Sequence, residues 1–96
     1  MPNYVLTFRS QSGRTAAPEE EAAWGQWFQQ LGGTVTDFGH RVGHARALGN
    51  ASGETVLSGY VVIAADNLVS AVEVAKGCPG LSQGGGVEIG ETVDNA

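Results

Sequence analysis

The chain has 96 residues, enough for one small domain spanning 1–96 and close to the lower limit for a self-sufficient hydrophobic core. Hydrophobic residues make up 42% and charged residues 16%, below the average of about 25% for charged residues, which indicates a globular domain with little charged surface. The net charge of −5 without a basic stripe argues against a nucleic-acid partner, and the single cysteine excludes an internal disulfide.

Targeting and membrane-spanning signals are missing from the sequence. It begins MPNYVLTFRS, without the basic segment and long apolar core of a signal peptide. The longest apolar run, 60–65, is far shorter than the roughly 20 residues that span a bilayer. The lone cysteine, Cys78, suits a reducing compartment. These features predict a cytoplasmic protein with no membrane partner.

The first part of the chain predicts a strand, a helix and a second strand. Residues 3–9 are rich in β-forming side chains and predict the first strand. Pro18 suits the first position of a helix, and three glutamates follow it, where the helix dipole favours acids. From Trp24 onward, apolar residues recur at i, i+3, i+4 and i+7, the spacing of a helix that buries one face. The helix is predicted over 18–31, ended by two glycines, and a second strand over 34–38.

The middle of the chain has weak secondary-structure signals. Residues 39–53 mix glycines with histidine and arginine and contain few apolar side chains. We interpret them as a bend, a short strand over 44–48 and a turn. The next run, 59–65, is strongly apolar and predicts a strand.

The last part predicts a second helix and a closing strand. Asp66 or Asn67 can cap a helix that begins at Leu68. Gly77 is predicted as its left-handed cap, and the following proline prevents continuation. Residues 87–93 alternate and predict the final strand.

This order of elements predicts an α+β domain of the ferredoxin-like βαββαβ type, an antiparallel sheet with two helices on one face. The strand at 60–65 is apolar on both of its faces, and a strand without alternation is usually buried on both sides. A second copy of the chain is the simplest cover for the free face. We therefore expect a homodimer with the sheets face to face.

The chain carries short motifs in a fixed order: MPNYVLTF at its start, WxxW at 24–27 before LG at 31–32, GY at 59–60, AADNL at 64–68, AKGCP at 75–79 and GVEI at 86–89. Together they resemble the YCII-related domain family along nearly the whole chain. The resemblance implies a ferredoxin-like, dimeric α/β-barrel fold. It implies a His–Asp pair in some members and removal of chloride from chlorinated hydroxyquinones in one branch, while most members have no assigned function. The family's histidine lies on the first helix, where this chain has Trp24.

One cluster of reactive side chains stands out between 37 and 46. His40 or His44 is a candidate general base, with Asp37 orienting it, because imidazole titrates near neutral pH. Arg41 or Arg46 is a candidate for holding an anionic group of a ligand. In an extended chain the two histidines lie about 13 Å apart, too far to chelate one metal. The alternative interpretation of these residues is a solvated loop without a functional role.

Other residues favour a ligand cavity more weakly. Trp24 and Tyr60 are candidate ligand-binding residues, although core packing is the better explanation for both. The polar loop around Ser10 and Arg14 is a candidate cover for a pocket. Cys78 follows a helix C-terminus without a basic neighbour, which predicts a structural role. The glycine run at 84–86 precedes a strand, unlike a phosphate-binding loop, so no cofactor is predicted.

Three functions stay open at this point. The first is a domain that binds a small-molecule ligand without catalysis. The second is an enzyme of lyase or hydrolase type acting on a small aromatic or carboxylated metabolite with a His/Asp pair. The third is a purely structural interaction module, which would have no cavity and a fully covered sheet.

Overall fold

The computed structural model describes residues 1–51 and 53–94, which form four strands and two helices. In chain order these are β1 (Asn3–Gln11), α1 (Pro18–Leu31), β2 (Val35–Arg41), β3 (Thr55–Ala64), α2 (Leu68–Ala75) and β4 (Gly86–Glu91). Short 3₁₀ turns lie at Gly32–Thr34, Gly49–Ala51 and Pro79–Gln83. Neither helix is long and apolar enough to cross a lipid bilayer, as far as the described residues go.

The strands form one sheet in the order β2-β3-β1-β4, and all neighbouring strands are antiparallel. The two central strands, β1 and β3, pair over their whole lengths, with a bulge opposite Phe8 and Arg9. The prediction of an α+β domain with an antiparallel sheet and two helices is therefore confirmed.

The hydrophobic core lies between the helices and one face of the sheet. Alternate residues of the central strands are buried there, including Leu6, Val61 and Ile63, which are almost inaccessible to solvent. Trp27 of α1 and Ala71 of α2 belong to the same core. Because strand side chains alternate between faces, both helices pack on the same side of the sheet.

Local sequence signals account for both helices. The bounds of α1 agree with the prediction, and Gly32 adopts φ 48° just after its last residue, a conformation that glycine tolerates best. Asn67 caps α2, since its Oδ1 accepts a hydrogen bond from the Ser70 N–H at 2.8 Å. The left-handed cap predicted at Gly77 is wrong. Instead, a Cβ at Gly77 would lie 3.0 Å from Nε1 of Trp27, so glycine is needed there for close packing.

The strands β1, β2 and β3 are longer than predicted. β1 continues to Gln11 and β3 begins at Thr55, and these two residues pair. Arg9 joins the strands here, because its Nε donates to Thr55 Oγ1 at 2.9 Å. β2 likewise continues to Arg41. The short strand predicted at 44–48 is wrong: these residues are exposed and have no partner strand to bury them against.

The second face of the sheet, here called the outer face, carries no helix. Val5, Tyr60, Val62 and Ala64 lie on it and are only half-buried. The Cα extents of the molecule are 37 × 34 × 20 Å, the dimensions of a thin slab of one sheet and one helix layer. The outer face of the single chain thus has a partly exposed apolar strip along β1 and β3, with polar side chains such as Asp37 and Glu88 on the neighbouring strands.

Candidate functional site

A cleft of about 650 Å³ opens between α1 and the sheet, beside the N-terminal half of the helix. Residues from β1, α1, β2, β3 and the segment after Pro79 surround it. Its lining comprises Phe8, Arg9, Ser10, Arg14, Ala16, Glu21, Trp24, Phe28, Phe38, Gly39, His40, Arg41, Ser58, Gly59, Tyr60, Gly80, Gln83 and Gly85. We call this region the α1 cleft.

The floor of the α1 cleft follows from the strand register. Phe8 pairs with Gly59, and Gly59 pairs in turn with Arg41, so these three residues form a row across the sheet on its helix side. Gly59 has no side chain and leaves a gap between its two neighbours. A Cβ there would lie 3.1 Å from the backbone oxygen of His40, closer than an ordinary van der Waals contact. A glycine at the centre of the row therefore helps to create the cleft.

Aromatic rings form the inner wall. Phe8 packs edge-on against Trp24, with ring centroids 5.0 Å apart, and Trp24 stacks on Phe28 at 6.1 Å. The indole Nε1–H of Trp24 donates to Oε1 of Gln83 at 3.2 Å, and Gln83 lines the cleft as well. Phe38 also borders the cleft, and 66% of its surface is exposed. The cleft thus has a rigid aromatic wall and an exposed aromatic ring at its rim.

Positive charge is concentrated around the α1 cleft. Three of the five cationic residues line it, namely Arg9, Arg14 and Arg41, against one of the ten acidic residues, Glu21. Arg14 pairs with a glutamate of α1, and Arg9 is bound to β3. Arg41 has only a long contact of 3.9 Å to Glu21, and its side chain is 91% exposed. The cleft therefore has a small net positive charge, three arginines against the two glutamates that they face, in an otherwise acidic protein.

Of the predicted catalytic residues, His40 borders the cleft but is not oriented by Asp37. The Nδ1 atom of His40 lies 3.2 Å from the Tyr60 hydroxyl. Asp37 Oδ1 instead accepts a hydrogen bond from the Gly39 N–H at 2.8 Å. Within 1–51 and 53–94 no hydrogen bond joins Asp37 to either histidine. The register places His40 and Tyr60 side by side where the outer face meets the cleft.

The other predicted site residues divide between two surfaces. Trp24, Tyr60 and Arg41 line the α1 cleft, as His40 does, whereas His44 does not. Arg46 borders a separate depression of about 260 Å³ that it shares with Thr7 and Leu57. Across the described ranges, no group of three or more His, Cys, Asp or Glu side chains is placed to hold a metal ion. The structure does not bring the predicted cluster at 37–46 together at one point.

Most of the cleft lining could not be predicted from the sequence, including Phe8, Phe38 and Gly59. Phe8 and Gly59 meet only through the β1–β3 register, which no local pattern reveals. Phe38 lies in β2, as predicted, but its exposure follows from the irregular pairing of this strand between Asp37 and His40. The weak signal of the polar loop did identify two lining residues, Ser10 and Arg14.

Cys78 lies outside the cleft lining and is buried in the core. Burial raises the pKa of its thiol, and hydrogen bonds from the backbone of Gly80 and Leu81 oppose the shift without cancelling it. The thiol therefore stays protonated and inaccessible near neutral pH. These properties suit the structural role predicted for it.

No model of a known protein family matches the chain, and no curated protein sequence matches it either. Function is therefore inferred from the geometry of the α1 cleft, above all from its aromatic wall and its arginines.

Proposed function

We propose that the chain is a YCII-like domain with the ferredoxin-like, dimeric α/β-barrel architecture, which binds a small molecule in the α1 cleft. The observation that supports ligand binding is the cleft itself. Its volume of about 650 Å³ is typical of small-molecule sites, which occupy roughly 300–1,000 Å³. Aromatic surface with a few convergent polar groups is the usual lining of such sites.

Binding without catalysis is better supported than the two alternatives. A structural module has no use for a concave aromatic surface with an exposed ring such as Phe38. A His/Asp enzyme needs a carboxylate on the imidazole, but Asp37 binds a backbone amide and His40 contacts Tyr60. His44 is exposed and does not line the cleft.

The outer face supports the homodimer. Tyr60, Val62 and Ala64 alternate with buried residues of β3, yet they are themselves apolar or aromatic and remain partly exposed in the single chain. Monomeric proteins rarely leave a large contiguous apolar surface exposed. Since one side of the slab already carries the helices, a second copy placed sheet to sheet would cover the remaining broad face.

Ligand binding is tested with a set of small aromatic compounds and the two indole N–H signals in ¹H–¹⁵N NMR spectra. The signal of Trp24 should shift more than that of Trp27, because only Trp24 lines the cleft. Gly59→Ala should weaken binding about tenfold, because its methyl group fills part of the cleft floor. Gly33→Ala, with open space at its Cβ position and outside the cleft lining, should not. Should Gly59→Ala unfold, Phe38→Ala removes an exposed ring without touching the core. Equal shifts of both indole signals, or no shift, would contradict the cleft as the site.

The dimer is tested by light scattering on the purified chain. We expect about twice the 9.9 kDa mass of one chain. Val62→Glu places a charge on the outer face and should give a monomer, while Val69→Glu, on an exposed position of α2, should leave the mass unchanged. A folded monomer in the unsubstituted protein would refute the proposal for this face.

A further inference from the structure

We infer that the α1 cleft takes an organic anion, an aromatic carboxylate of about one ring, and that Arg41 holds the carboxylate in competition with Glu21. The inference rests on the proposed ligand-binding function and names the chemical class of the ligand. It depends on how the charges around the cleft are already paired and on the spacing of its floor.

The distribution of charge is the first argument. The chain has twice as many acidic as cationic residues, ten against five, yet three cations and a single acid line the cleft. Two glutamates already offset part of this charge, since Arg14 is paired with Glu20 and Arg41 lies 3.9 Å from Glu21. Three arginines against two glutamates leave one positive charge, which attracts an anionic ligand but not a neutral or cationic one.

Two of the three arginines are already engaged. Arg9 donates one hydrogen bond to the side-chain oxygen of Thr55 at 2.9 Å and another to the backbone oxygen of Thr55 at 2.6 Å. Its guanidinium therefore holds β1 and β3 together. Arg14 is ion-paired with Glu20. Neither guanidinium can turn to a ligand without losing these bonds.

Arg41 differs from both because its present partner is weak. Its distance of 3.9 Å to Glu21 is well beyond the roughly 2.7–2.9 Å of a charge-assisted hydrogen bond, and both side chains are largely exposed. Exposed ion pairs of this kind contribute little. A ligand carboxylate can bind the planar guanidinium with two parallel hydrogen bonds and displace Glu21.

The floor of the cleft sets the size of the ligand. Arg41 and Phe8 flank Gly59 on adjacent strands, so their backbones are two strand spacings apart, about 9.6 Å. This span accommodates a single ring lying over Gly59, with its carboxylate at Arg41 and its edge toward Phe8. The exposed ring of Phe38 borders the same space.

The test compares benzoate with benzamide, which share the ring and differ in charge. Each is titrated into the full chain while the Trp24 indole signal is followed by NMR. Benzoate should bind about tenfold more tightly, the size expected for one charge-assisted interaction. Arg41→Gln should abolish most of that difference, because benzoate loses a charge-assisted interaction and benzamide loses at most a weaker, neutral hydrogen bond. Glu21→Gln should strengthen benzoate binding, because it removes the competing carboxylate. Lys76→Gln, which removes the same charge from a residue outside the cleft, should have no effect on either probe.

The outcomes separate the two proposals. Equal binding of benzoate and benzamide to the Trp24 region would overturn the anionic ligand class and leave the ligand-binding function standing. The same loss in Arg41→Gln and Lys76→Gln would overturn the assignment of Arg41, since only the net charge would then matter. Failure of both probes to shift the Trp24 signal would overturn the cleft as an aromatic ligand site.

Discussion

Gly39 offers the sharpest test of the geometry of β2, the strand that brings His40 and Arg41 to the cleft. Its φ is +64°, and a Cβ at this position would lie 2.0 Å from the backbone oxygen of Tyr60. The Asp37 side chain accepts the Gly39 N–H, which fixes the bend where the pairing with β3 changes register. Gly39→Ala therefore meets both a conformational and a steric penalty.

The magnitude follows from those two penalties. A non-glycine residue with positive φ costs roughly 1–2 kcal/mol. Relieving the contact requires β2 to move about 1 Å away from Tyr60, which disrupts neighbouring ladder bonds at about 1 kcal/mol each. The total is about 3–5 kcal/mol of a free energy of unfolding that is typically about 5–15 kcal/mol. For a domain of this size, the melting temperature should fall by more than about 10 °C.

Gly13 is the matched control for this substitution. Its φ is +76°, and nothing lies within 4 Å of its Cβ position, so Gly13→Ala carries only the conformational penalty. Both variants are compared with the unsubstituted chain by urea denaturation, followed by circular dichroism at one protein concentration, since an oligomer's stability depends on concentration. Equal destabilisation by the two substitutions would refute the close approach of Gly39 to β3.

Three further predictions concern the helices and the core. Asn67→Ala should lower the free energy of unfolding by about 1 kcal/mol in urea denaturation, because the Ser70 N–H loses its cap, and Asn67→Asp should restore most of it. The pKa of Glu20 is lowered below 4.5, mainly by a hydrogen bond from the Arg14 side chain and next by one from the Ala17 N–H. The contribution of Glu20 to stability is therefore present above pH 4.5 and is lost as the pH falls through the lowered pKa of the folded state. Glu20→Gln should therefore flatten the decline in stability between about pH 5 and 3, and an unchanged slope would contradict this assignment. Cys78 should react with a thiol reagent such as DTNB only after unfolding, whereas rapid reaction of the native protein would contradict its burial.

The helices could be predicted from the sequence because their signals are local. The spacing from Trp24 onward, the proline at the start and the glycines at the end together determine α1. Asn67 determines the beginning of α2 by a hydrogen bond within one turn. The reason for glycine at position 77 could not be predicted, because it is the close approach of Trp27 from the other helix, a contact that no local pattern contains.

The candidate site could be predicted only in part because it depends on strand register. A shift of one residue moves a side chain to the opposite face, and β2 changes register twice against β3. That irregularity separates Asp37 from His40 and leaves Phe38 at the cleft rim. Trp24 was found because helical spacing revealed it, whereas Gly59 acquires its meaning only from the neighbours Phe8 and Arg41.

The uneven placement of charge gives the protein an unusual expected response to ionic strength. Residues 49–96 carry the whole net charge of −5, while the arginines of the cleft belong to the neutral first half. At 0.01 M salt, where the screening length is about 30 Å, an approaching anion is repelled by acids throughout the molecule. At 0.15 M salt the screening length is about 8 Å, so the repulsion from distant acidic residues is largely screened, while Arg41 still attracts the anion at contact distance. Moderate salt should therefore favour capture of an anion by this protein, the reverse of what a uniformly basic binding surface would show.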